Sequence, residues 1–182
     1  PYTHWNTLPN GKPGEYLTDR LTVEAEEFIE QNKERPFFLY LSYYSVHTPL
    51  QAPKERVAKY EKKPKGERHK NATYAAMVES VDRSVGRVMA RLEKLGLAKN
   101  TVVIFTSDNG GHGRITSHQP LRGNKGNFYE GGIRVPLIVK WPGVIKPDST
   151  CKVPVISTDY YPTLLAMTGQ PARPKQHVDG RN

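Results

Sequence analysis

The sequence predicts an α/β fold, a largely parallel sheet flanked by helices, and three observations carry that expectation. Two segments, near residues 16–32 and 72–95, repeat apolar residues at helical spacing. Short runs of β-branched and aromatic residues without strict polar alternation read as interior strands. Helices and apolar strands also alternate along the chain, as they do where helices cover a mainly parallel sheet.

Residues 1–14 are polar and punctuated by Pro and Gly, which reads as loop. "YLTDRLTVEAEEFIEQN" then places Leu17, Leu21, Ala25, Phe28 and Ile29 on one helical face, with Thr18 as the expected N-cap. Pro36 breaks the pattern, and "FFLYLSYYSV" reads as a buried strand. The prolines of "HTPLQAP" prevent regular continuation, and the basic loop "KKPKGERHK" (Lys62 to Lys70) comes next. A long helix is expected from about Ala72 to Leu95, with Met77, Val81, Val85, Val88 and Leu92 near one face and Gly96 stopping it. "TVVIFT" is a second strand, followed by a long loop from Asp108 to Gly132, and "VPLIVKW" (Val135 to Trp141) is a third. "STDYYPTLLAMTGQ" suggests a last short helix, capped by Thr158 or Asp159.

Bulk properties bound the class. A length of 182 residues suits one domain with a real core, and 36% hydrophobic with 25% charged residues is a globular balance. No apolar stretch approaches the ~20 residues needed to span a bilayer. The single cysteine, Cys151, excludes an internal disulfide framework and a cysteine-based zinc cluster. Lys and Arg outnumber Asp and Glu by 27 to 18, for a formal charge of +9. The basic loop holds much of that excess; it reads either as a solvated loop or as a patch for polyanions. No nucleic-acid module accompanies it, so no nucleic-acid partner is expected.

Three polar clusters stand at strand ends or in the long loop. His47 follows the apolar run 37–46, and is either a structural residue or a proton donor to a leaving oxygen. In "TSDNGGHG", Asp108 and Asn109 are either turn residues or a hard-oxygen pair suited to Ca²⁺ or Mg²⁺. Two such ligands are too few for either ion, so others must come from elsewhere. His112, close by, either shapes the loop or contacts substrate. In "LRGNKGNFYEGG", Lys125 is either an exposed loop lysine or a point charge for a tetrahedral oxyanion. Arg122 and Arg134 are further anion contacts, or partners of Glu130.

The order of the motifs adds to their separate meaning. "FLYLSYYSVHTPLQAP", "YAAMVESVDRSVGRVMARLEKLGLAKNTVVIFTSDNGG", "PLRGNKGNFYEGGIRVPLIVKWPG" and "DYYPTLLAMTG", in that order, resemble the sulfatase family from Tyr16 onward. The resemblance implies the alkaline-phosphatase-like fold, with a mixed, largely parallel sheet, and a hydrolase of sulfuric esters. It further implies Asp108 and Asn109 as two ligands of Ca²⁺ ahead of Mg²⁺, Lys125 as the sulfate-binding cation, and His47 beside the ester oxygen.

The departure from the family pattern is equally informative. Sulfatases attack with a formylglycine made from a Cys or Ser in a C/S-x-P-x-R motif; "CKVPV" around Cys151 does not fit it, and no serine does. The upstream acidic metal ligands and a Lys-x-His element are missing too. Residues 1–182 are therefore expected to be the central and later part of one catalytic domain, truncated at both ends and inactive alone. The expected substrate is an aryl or glycan sulfate, and export to a periplasm, a lysosome or the cell exterior follows the family habit. Two other readings stay open: a phosphodiesterase or phosphonate hydrolase of the same superfold, and a non-catalytic relative that binds sulfated glycans.

Overall fold

The computed structural model describes residues 8–176 and 179–182, so the loop expected over 1–14 is seen only from residue 8 onward. The chain divides into two compact units, residues 1–145 and 146–182.

Three helices build the first half of the larger unit: α1 (Leu17–Gln31), α2 (Lys54–Glu61) and α3 (Ala72–Lys94). Helix α3 starts at Asn71, whose side chain accepts a 2.9 Å hydrogen bond from the Tyr74 amide and so satisfies one of the unpaired N–H groups of the first turn. It ends at Gly96, where φ is +71° and the Leu97 amide bonds back to the Leu92 carbonyl at 2.9 Å. Thr18 is not the cap of α1. Tyr16 holds that position without a side-chain capping bond, while Thr18 is buried in the first turn with its Oγ1 2.6 Å from Ser45 Oγ. Helix α2 falls where no element was expected; it follows Pro53, whose fixed φ suits a helix start.

The buried faces of α1 and α3 keep Ala25, Ile29, Met77 and Leu92 of the expected residues and differ in the rest. α1 buries Thr18, Thr22, Ala25 and Ile29, and α3 buries Ala76, Met77, Ser80, Ser84 and Leu92. Leu21, Val81 and Val85 are only partly covered. Small residues let the helices approach closely, and two of the buried hydroxyls are satisfied locally: Thr22 Oγ1 donates to Thr18 O and Ser80 Oγ to Ala76 O, each at 2.7 Å. Beyond this polar seam, Ile29, Leu92 and Ala98 form a core against which Phe37, Leu39, Val88 and Val103 pack. Burying Ile29 contributes about 1.5–3 kcal/mol.

Arg56 of α2 clamps the three helices. It donates to both Asp19 oxygens at 3.2 and 3.0 Å and to Ser80 Oγ at 2.8 Å. Arg87 with Glu26 and Arg91 with Glu30 add further α3–α1 pairs.

Residues 37–44 alternate in exposure as a strand does: Phe37 and Leu39 pack on the helical core, Tyr43 meets Thr22 of α1, and Phe38, Tyr40 and Tyr44 are exposed. Burial raises the Tyr43 pKa. Yet no ladder forms on this segment among the described residues, because a strand exists only where a neighbour pairs with it. The sheet observed is one antiparallel pair, β1 (Val103–Thr106) with β2 (Leu137–Lys140), in register Val103 to Lys140 and Thr106 to Leu137. That pairing is antiparallel; the parallel neighbours expected for a largely parallel sheet are not paired among the described residues. Nor are the strands interior: Ile138 is 61% exposed, since two strands cannot cover both faces.

The smaller unit contains a 3-10 turn (Ser157–Asp159) running into a helix, Tyr160–Met167. Asp159 accepts from the Ile156 and Arg181 amides at 2.9 Å, and those two bonds hold its carboxyl below its usual pKa.

Candidate functional site

Strand β1 ends at Thr106, and the chain turns at once through Ser107, Asp108 and Asn109. Ser107 Oγ donates to the Asn109 carbonyl at 3.1 Å, tightening the turn. The Asn109 side-chain amide donates to the Asp108 carboxylate. A half-turn of that amide would put its oxygen there instead, setting two hard oxygens side by side. This donor set fits Ca²⁺ or Mg²⁺ as one part of a shell of six or more. Among the described residues, no three His, Cys, Asp or Glu side chains converge on one point.

The glycines after Asn109 have a steric reason. The Gly110 amide donates to Gly132 O at 2.9 Å, the Gly131 amide to Arg122 O at 2.7 Å, and the Lys125 amide to Gly111 O at 3.1 Å. Separate stretches of the long loop are thereby laid backbone against backbone. A Cβ at Gly110 would overlap the Gly131 carbonyl, one at Gly131 the Gly123 carbonyl, and one at Gly132 the Asn127 carbonyl. Only glycine permits such approach. A short helix α4 (Glu130–Ile133) carries Gly131 and Gly132 into this contact, and both are buried.

The interlock brings Lys125 to the loop that bears Asp108 and Asn109. The Lys125 side chain is exposed and forms no ion pair among the described residues. Arg134 pairs with Glu130 at 3.5 Å, whereas Arg122 lies over the Tyr129 ring at 3.8 Å, so only Arg134 takes the carboxylate.

His47 stands apart from this group. Its Nδ1 donates to the Thr48 carbonyl at 2.7 Å, with Tyr44 Oη at 3.1 Å, and no hydrogen bond joins it to Asp108, Asn109 or Lys125 among the described residues. Because a carbonyl only accepts, that bond keeps the proton on Nδ1 and leaves Nε2 for another partner. When the ring is cationic, Nε2–H is the proton it can give. His112 is engaged in its own turn: its Nδ1 accepts from the Arg114 amide at 3.2 Å and its carbonyl from the Ile115 amide at 2.9 Å.

Sequence reasoning missed His118. Its Nε2 accepts the Gly111 amide at 2.7 Å, so it braces the loop between Asn109 and His112 in its Nε2-unprotonated form. Nothing in its local pattern, "TSHQP", signals that contact, which closes only in three dimensions.

Comparison with known proteins identifies the family. The Sulfatase family profile matches residues 1–170. A protein named Sulfatase from Formosa agariphila is 42% identical over 96% of this chain and 34% of its own length. The Steryl-sulfatase of Homo sapiens is 39% identical over 91% of this chain and 28% of its own. The solved structure of Ps i-CgsB in complex with k-i-k-neocarrahexaose superposes with a TM-score of 0.84 at 40% identity, covering 92% of this chain and 37% of that one. The chain thus spans about a third of the length of the relatives it matches.

Proposed function

The chain belongs to the sulfatase family, with its alkaline-phosphatase-like fold, and on that premise we propose that the whole protein hydrolyses sulfate monoesters. The observation that supports this most is the Lys125–Gly111 backbone bond, which ties a free ammonium to the Asp108–Asn109 turn. Lys125 holds the sulfate through a point charge on its oxygens. Asp108 and Asn109 contribute two oxygens toward Ca²⁺, the remaining ligands and the nucleophile being supplied by sequence outside these 182 residues. When bound, Ca²⁺ neutralises sulfate charge and a formylglycine provides the attacking group. His47, with Nδ1–H held by Thr48, delivers its Nε2 proton to the departing alcohol oxygen, which spares the reaction a free alkoxide. His112 lies beside Lys125's loop as a further substrate contact. Relatives include a steryl-sulfatase and a protein solved with a carrahexaose, so both steroid and saccharide esters are candidate substrates. Export from the cytosol goes with this activity, and no helix among the described residues is long and apolar enough to cross a membrane.

The test is turnover of 4-nitrophenyl sulfate by the whole protein. Lys125→Ala is expected to lower kcat/KM by roughly 10²–10³-fold, as loss of one oxyanion donor does, without loss of the folded signal. Near-normal turnover in the variant would remove Lys125 from the site. Faster cleavage of bis(4-nitrophenyl) phosphate than of the sulfate would replace the reading with phosphodiester hydrolysis.

A further inference from the structure

The basic run Lys62–Lys70 takes no part in that chemistry, yet its end lies against the long loop. His69 Nδ1 meets Thr116 Oγ1 at 3.0 Å, and Arg68 donates to the Gln119 carbonyl at 3.4 Å. Between these segments is a groove of about 810 Å³. Arg68, Lys70, Arg114 and Arg122 line it, and no Asp or Glu does.

Among the described residues none of these four cations forms an ion pair. The contrast with the helices is plain, where Arg56, Arg87 and Arg91 each face a carboxylate. Four like charges around one concavity repel each other and raise its positive potential, a disadvantage that an anionic ligand removes. Guanidinium forks match a pair of oxygens on a tetrahedral sulfate or a planar carboxylate. The groove also adjoins the candidate site: Gly113 and Asn124 line it and are the chain neighbours of His112 and Lys125. A substrate with one sulfate at Lys125 that continues past these two residues enters the groove.

We infer that the groove is a second anion subsite, and that the substrate is a saccharide bearing at least two anionic groups. The inference rests on Lys125 holding the first sulfate. A steroid or simple aryl sulfate has nothing to place there and would leave all four cations unmatched.

The experiment uses the whole protein and the triple variant Arg68→Gln, Lys70→Gln, Arg114→Gln, which leaves Lys125 and Arg122 in place. Substrates are 4-nitrophenyl sulfate and a hexasaccharide with two or more sulfates, each at several salt concentrations. Expected is a loss of roughly tenfold or more in kcat/KM on the hexasaccharide, from three exposed charge pairs. Its salt dependence should flatten as well, while the aryl sulfate changes less than about twofold. Equal losses on both substrates, or none on the hexasaccharide, would overturn the subsite. If neither substrate turns over, the sulfatase reading fails, and calorimetric binding of the hexasaccharide to wild type and variant then decides the groove alone. A single-stranded oligonucleotide of equal charge binding as tightly would also overturn it, in favour of a nonspecific polyanion surface.

Discussion

The helices of residues 17–94 and the loop of residues 108–132 are held by different atoms. In the helices, side chains do the joining: Ile29 and Leu92 in the core, Arg56 with Asp19 and Ser80, Arg87 with Glu26. In the loop, backbone joins backbone through Gly110, Gly111, Gly131 and Gly132, and cations are left without carboxylates. The difference has a physical logic. In a scaffold, a partly buried charge left without its partner is destabilising, so such charges are paired. A site for an anion must keep charges unmatched, and can hold them in place only with groups that do not neutralise them; backbone amides and carbonyls are such groups. Lys125 is fixed through its own amide, not its ammonium.

Three substitutions probe that division, beginning with the largest expected effect. Ile29→Ala empties the centre of the helical core and is expected to destabilise by about 2–5 kcal/mol, read from the denaturant midpoint. Activity per folded molecule should stay near wild type, and a fall in that quantity would mean the two regions are not separable. Gly131→Ala forces a Cβ onto the Gly123 and Arg122 carbonyls. A displacement of the loop by even an ångström predicts a kcat/KM about a hundredfold lower, with the helical signal on heating little changed. Full activity would show that the interlock does not position Lys125. Arg56→Ala removes charge-assisted bonds to Asp19 and Ser80 and is expected to cost about 1.5–3 kcal/mol. Ser80 keeps its bond to Ala76 O, so an Arg56→Lys variant should recover only part of the loss. Complete recovery would reduce the clamp to a simple point charge.

Much of the local structure was legible in the sequence. The long helix was expected at about Ala72 to Leu95 and runs from Ala72 to Lys94, because Asn71 and Gly96 mark its ends chemically. Strands β1 and β2 fall inside the segments expected for them. The helix after Pro53 leaves little trace in the sequence, since its large apolar side chains are only Val57 and Tyr60. Part of the buried faces is hidden in the sequence for a different reason. Counting large apolar residues favours Leu21, Val81 and Val85, whereas close helix packing chose Thr18, Thr22, Ser80 and Ser84. A buried hydroxyl reads as polar in a sequence, but it is harmless once the carbonyl four residues back accepts its proton. The strand expected at 37–46 shows the same limit: its alternation is present, and its pairing is not local information.

For the site, the sequence by itself determined which chemical groups are available: an acid and an amide at a strand end, a lysine between two Gly-Asn pairs, and a histidine after an apolar run. It also determined where the chain turns, because Gly, Pro, Asp and Asn act through their own backbone dihedrals. Only the tertiary structure decided why the glycines cluster, that His118 braces the loop, that Arg134 is spent on Glu130 while Arg122 is not, and that the basic run meets the long loop at a groove. Each of those outcomes depends on contacts between residues far apart in the chain. Propensity acts over a few neighbours, and a close approach of two backbones leaves no signature until both are folded.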